Sequence, residues 1–240
     1  SFSFTSGTMA WSGTMTSVGK VAFEGAMFTI SATINVPARV RVSAGIVRLD
    51  AAASFARAQF EGGSIDGPGD LSVTSRMDWI GGEMVGTGRL LISPGTSLVI
   101  NAAMPLVLER ALENSGTVSW QSGSFKRLTG PVKNLSGATL ALSDAGKWGD
   151  SGPALQLINN GTLVKSGPAA TTASAVLTNS GLVRVEGGTL SFESGGIHTG
   201  DFVVSSGATL ALSGDHTLAA GADISGAGGV SLGVGTFTSS

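Results

Sequence analysis

Apolar residues recur two apart in short runs along the chain, as Val21/Phe23, Val47/Leu49, Leu71/Val73, Leu98/Ile100, Val118/Trp120, Leu140/Leu142, Val183/Val185 and Leu210/Leu212. A period of two puts both side chains of a pair on one face of a β-strand. A glycine stands ahead of each run. Ten such glycines, Gly19, Gly45, Gly69, Gly95, Gly116, Gly137, Gly161, Gly181, Gly207 and Gly229, follow one another at intervals of 20 to 26 residues, about 23 on average. Self-similarity at that period is the signature of a solenoid, a stack of like units sharing one core. Ser136–Ser143 also returns letter for letter at Ser206–Ser213, 70 residues on, which reads as three average periods.

A second unit indicates how a turn is built. Phe60 to Leu71 and Trp79 to Leu90 both read aromatic-x-Gly-Gly-x-apolar-x-Gly-x-Gly-x-Leu, with looser copies from Trp11, Trp120, Val185 and Phe192. Paired glycines accept φ > 0 without steric cost and suit tight corners, so a turn should hold two or three short strands. The Leu-x-x-Leu-x-Leu frame of leucine-rich repeats, the glycine-free stretches of helical repeats and a six-residue apolar beat are all missing. The expectation is an all-β fold, a right-handed parallel β-helix of about ten coils of roughly 23 residues, its hand following the crossover preference. At ~4.8 Å per rung it would be about 50 Å long. Asn114, Asn159 and Asn179 lie in Asn-Ser-Gly or Asn-Asn-Gly triplets directly before strands and should stack as a ladder inside a turn. Asn134 and Asn160 also fit the Asn-x-Ser/Thr glycosylation pattern.

Composition narrows the class. Glycine is abundant, at 37 of 240 residues, but 42% of the chain is hydrophobic, so it folds and its glycines are punctuation. Net charge is −2 and Lys and Arg form no long runs, which speaks against a nucleic-acid partner. No apolar stretch approaches the ~18 residues of a membrane span. A cysteine-free, weakly charged chain rich in Ser, Thr and Gly suits folding after export. An unbroken repeat argues for one β-helix domain over residues 1–240. Ser1-Phe2-Ser3-Phe4 and Val234-Gly235-Thr236-Phe237 read as more repeat, so further solenoid or anchor domains are expected in a longer parent chain.

Asn179-Ser180-Gly181-Leu182-Val183, Ser206-Gly207-Ala208-Thr209-Leu210 and Trp79-Ile80-Gly81-Gly82-Glu83-Met84 resemble the degenerate repeats of bacterial exported β-helix proteins, the filamentous haemagglutinin-like adhesins and autotransporter passengers. The likeness spans most of the chain and lies in repeat style. It implies a secreted or cell-surface stalk, adhesin or passenger segment, with cell-surface glycans or proteins of host or neighbouring cells as partners. It carries no catalytic or binding residue onto this chain.

Candidate chemistry is sparse. Gly149-Asp150-Ser151-Gly152-Pro153 is similar to the serine-protease nucleophile signature but one glycine short, and His198 and His216 both lie downstream of it. The closest carboxylate pairs, Asp66 with Asp70 and Asp144 with Asp150, read as turn aspartates. Two histidines are too few for a metal site. No catalytic residue, metal or cofactor is expected, and the leading reading is a non-enzymatic rod. Trp11, Trp79 and Trp120 share a repeat phase and should stack in the interior, whereas Trp148 reads as off-phase within Ser143-Asp144-Ala145-Gly146-Lys147-Trp148-Gly149-Asp150. The alternative reading is therefore a carbohydrate site with Trp148 as the platform and Asp144, Lys147 and Asp150 around it. Thr139 and Thr209 are taken as repeat partners, too few for the threonine ranks of an ice-binding face.

Overall fold

The computed structural model describes residues 2–11, 19–144, 146–148 and 155–239. These form strands and turns with no helix. The chain winds as a parallel β-solenoid of about 11 turns, consistent with the right-handed parallel β-helix expected. Each turn adds one short strand to each of three faces. Thr117–Ser122, Phe125–Leu128 and Val132–Asn134 lie on the first, second and third face of one turn. Thr139–Leu142, Lys147–Trp148 and Leu155–Asn159 follow in the next. Towards the N-terminus the corners stay extended, so Ile34–Leu49 runs across all three faces, with a register shift where it bends between Val36 and Arg39.

Stacking sets the turn length. Phe2, Val21, Val40, Ala58, Met77, Leu98, Val118, Leu140, Leu163, Val183, Phe202 and Ile224 lie one above another on the first face, 18 to 23 residues apart and about 20 on average. The period of 23 and the ten coils are thus corrected to about 20 and about 11. The cause is that the anchor glycines do not share one phase. Gly45, Gly207 and Gly229 lead into second-face strands and Gly69 into a third-face strand, while the other six lead into the first face. All three faces bury the same apolar-x-apolar pair, so one motif marks three positions.

The repeated octapeptide shows this directly. Thr139–Leu142 lies on the first face between Thr117–Trp120 and Thr162–Lys165, whereas Thr209–Leu212 lies on the second face beside Thr189–Phe192. Thr139 and Thr209 are therefore not repeat partners. What the two copies share is a corner. Ala138 N donates to Leu135 O and Ala208 N to Ser205 O, both at 3.0 Å, with Gly137 and Gly207 at φ of 79° and 80°. That is a type II turn with glycine at its third position.

The apolar pairs read from the sequence are buried and belong to one contiguous core from Val21 to Leu212. The two corner motifs superpose in successive turns, Phe60 on Trp79, Ile65 on Met84 and Leu71 on Leu90. Inside, ring centroids run Phe60–Trp79 at 6.1 Å, Trp79–Phe125 at 5.5 Å, Trp120–Phe125 at 4.7 Å and Trp120–Trp148 at 5.0 Å. Each such pair adds about 0.5–1.5 kcal/mol beyond burial. Trp79 and Trp120 are interior stacks as expected, but Trp11 belongs to the second face, paired with Ile30.

Candidate functional site

The fold separates Trp148 from Asp144 and Lys147. Trp148 is the inward residue of Lys147–Trp148, in phase with Ala173, Phe192 and Leu212 on the second face. Its ring is 2% exposed, lies at 20° to that of Trp120, and helps to enclose an apolar void of about 20 Å³. Alternation turns Lys147 outward and Trp148 inward, so the indole presents no face to a sugar, and its reading as a platform is corrected. Asp144 is exposed at the preceding corner, and its Oδ1 accepts from Ala169 N at 3.4 Å. Asp150 and the protease-like string lie outside the described residues.

A polar column runs through the interior at the last inward position of the third face. Val73, Ile92, Asn114, Asn134, Asn159, Asn179, His198 and Leu218 occupy it in register. Each Asn Nδ2 from 114 to 159 donates to the Oδ1 of the Asn above at 2.8 Å. The same amides also bond the carbonyls of Thr139, Thr162 and Leu182. The expected ladder thus exists and includes Asn134, whose full burial removes it as a glycosylation acceptor.

Above the ladder His198 and His216 stack with centroids 5.2 Å apart, and His198 Nε2 lies 2.9 Å from His216 Nδ1. The network sets the tautomers. His216 Nε2 can only donate to Ser213 O, at 3.2 Å, so its Nδ1 accepts the proton of His198 Nε2. His198 Nδ1 is then a bare buried acceptor without a partner. Burial first and His216 second pull the His198 pKa down to about 4, and burial also lowers that of His216. Both rings are neutral at pH 7. No group of three or more metal-ligating side chains occurs among the described residues.

Two buried cations are held by corner carbonyls. Arg110, 1% exposed, donates to Val85 O at 3.0 Å and Gly67 O at 3.2 Å, and burial draws its pKa down to about 10 against the pull of Asp66 and Asp70. Lys165 takes an inward first-face position between Leu142 and Val185, and its Nζ donates to Gly167 O and Gly187 O. Its pKa is lowered by burial, with Asp144 opposing.

On the outside, most charges alternate in sign from rung to rung. Arg41 bridges Glu24 at 2.9 Å and Glu61 at 2.6 Å. Arg89 joins Asp70 to Glu113, and Lys133 continues the row to Glu113. The Arg89 hydrogen bond holds the Asp70 carboxyl below its usual range, and Asp66 accepts from Gly67 N while facing Arg48. The Asp66/Asp70 pair therefore consists of turn aspartates in ion pairs.

One column departs from that rule. Arg39, Arg57 and Arg76 stack in register at the edge of the first face, and Lys20 precedes Val21, the partner of Val40. All four are exposed. Arg76 pairs with Asp78 at 2.5 Å, while Lys20, Arg39 and Arg57 have no partner among the described residues. Beside Arg76, at one end of the column, lies an open depression of about 230 Å³ lined by Gln59, Arg76, Asp78, Ile80, Val99, Asn101 and Gln121. Reading for runs of basic residues misses this column, because its members stand 18 or 19 apart. A basic residue just before each of four apolar pairs (Lys20-Val21, Arg39-Val40, Arg57-Ala58, Arg76-Met77) was the available signal.

No helix among the described residues is long and apolar enough to cross a membrane. No family model, curated protein or solved structure matches the chain.

Proposed function

We propose that this chain is a non-enzymatic rigid rod of a secreted or surface-displayed bacterial protein, a stalk or presentation segment of the exported adhesin or autotransporter passenger type. The observation that carries this reading is the unbroken core of stacked turns, with its buried polar side chains bonded from rung to rung by the Asn ladder and by Arg110. Such a stack resists bending because each turn shares its whole hydrogen-bonded perimeter with its neighbours. The carboxylates support the same reading, since most of those among the described residues pair with cations along the outer surface.

Small-angle scattering tests the rod. About 11 turns at ~4.8 Å predict a rigid body with a long axis of roughly 50 Å. A globular distance distribution would sink it. Antibody labelling of intact cells of the producing organism tests display, and labelling only after permeabilisation counts against it. Turnover of any polysaccharide in a panel of neutral and acidic polymers would end the non-enzymatic reading.

A further inference from the structure

We propose that the outer surface of the first face, along Lys20, Arg39, Arg57 and Arg76, binds a linear acidic polysaccharide lying parallel to the solenoid axis. This goes beyond the rod reading and stands or falls separately from it.

Like charges directly opposite one another on neighbouring strands destabilise a sheet, and the ion pairs elsewhere on this chain set opposite charges at rung spacing. On the first-face edge it stacks three arginines in strict register and leaves two of them unpartnered. A ligand with a carboxylate on each unit would relieve that repulsion. The guanidinium fork matches a carboxylate in two parallel hydrogen bonds, and the column offers one fork per rung, ~4.8 Å apart.

The depression supplies the rest of the recognition. The amides of Gln59 and Asn101 can donate to and accept from hydroxyls, and Asp78 can only accept them. Ile80 and Val99 give an apolar floor for a ring edge. The same surface disfavours a nucleic acid. Base stacking needs exposed aromatics, whereas Phe60, Trp79 and Trp120 all point inward here.

The test titrates the whole chain with purified polygalacturonate at low and moderate salt, with dextran as the neutral polymer and a single-stranded DNA as the competing polyanion. The expected result is salt-sensitive binding of polygalacturonate. It should weaken at least tenfold, with a shallower salt dependence, in the double variant Arg39→Gln/Arg57→Gln. Arg184→Gln, an exposed first-face arginine paired with Glu186 outside the column, should bind like the parent. Removing like charges should leave the melting temperature of the double variant unchanged or raised, so lost binding would not be lost folding. No binding of polygalacturonate, equal binding of dextran, an unaffected double variant or tighter binding of the DNA would each overturn the proposal.

Discussion

At the scale of single residues, glycine does two different jobs in this chain. At Gly207 a Cβ would meet nothing within 4 Å, and only the φ of +80° calls for glycine. At Gly200 the conformation is ordinary, but a Cβ would fall 2.0 Å from Gly181 O in the turn below. Gly207→Ala should therefore cost about 1–2 kcal/mol. Gly200→Ala should cost more, because two turns must part to admit the methyl group. Urea denaturation of the two variants checks the order, and a smaller loss for Gly200→Ala would refute it. The Asn ladder makes a similar contrast. Asn159→Ala takes an acceptor from Asn134 and a donor from Asn179, and leaving both buried amides short should cost about 3 kcal/mol. Asn160→Ala, one residue away and exposed, should stay within about 0.5 kcal/mol.

At the scale of the strand, the alternation that buries Trp148 turns a binding prediction into a stability prediction. Trp148→Ala should lower stability by about 3–5 kcal/mol through loss of the Trp120 stack and enlargement of the void beside it. An unchanged melting curve would restore the reading of Trp148 as a surface residue. The strands carrying His198 and His216 should make the C-terminal turns acid-sensitive. His198 binds its proton near pH 4 when folded and near 6.5 when unfolded, so the unfolded state holds more protons between those values. Stability is therefore full above about pH 6.5 and falls as the pH drops towards 4, by up to about 3 kcal/mol. His198→Asn places an amide directly above Asn179 in the column and should flatten that dependence. Equal acid sensitivity of parent and variant in pH-dependent melts would count against this account.

At the scale of the whole molecule, stability in a solenoid is a sum of turns and of contacts between neighbouring turns, so the ends hold less than the middle. Val230 and Leu232 stack on the buried Leu210 and Leu212 but are 45% and 55% exposed, since no further second-face strand among the described residues covers them. Hydrogen exchange should then be slowest around 60–200 and fastest in the strands Ile224–Gly226 and Gly229–Leu232. Uniform protection along the chain would show that the turns do not open independently.

The architecture was legible because its causes are local. An apolar pair two apart makes a one-sided strand wherever it occurs, glycines make corners, and asparagines before such corners stack on their own kind. Trp79, Trp120 and the ladder of Asn114, Asn159 and Asn179 followed from those rules alone. Phase was not legible, because three faces bury the same pattern behind the same type of turn. An octapeptide could therefore appear on two faces, and the anchor glycines could suggest too long a period. Without phase, Trp148 could not be assigned to the interior, nor could Lys20, Arg39, Arg57 and Arg76 be seen as neighbours. Only the coiling of the chain, which sets residues 18 or 19 apart on adjacent rungs, brought four scattered cations into one column.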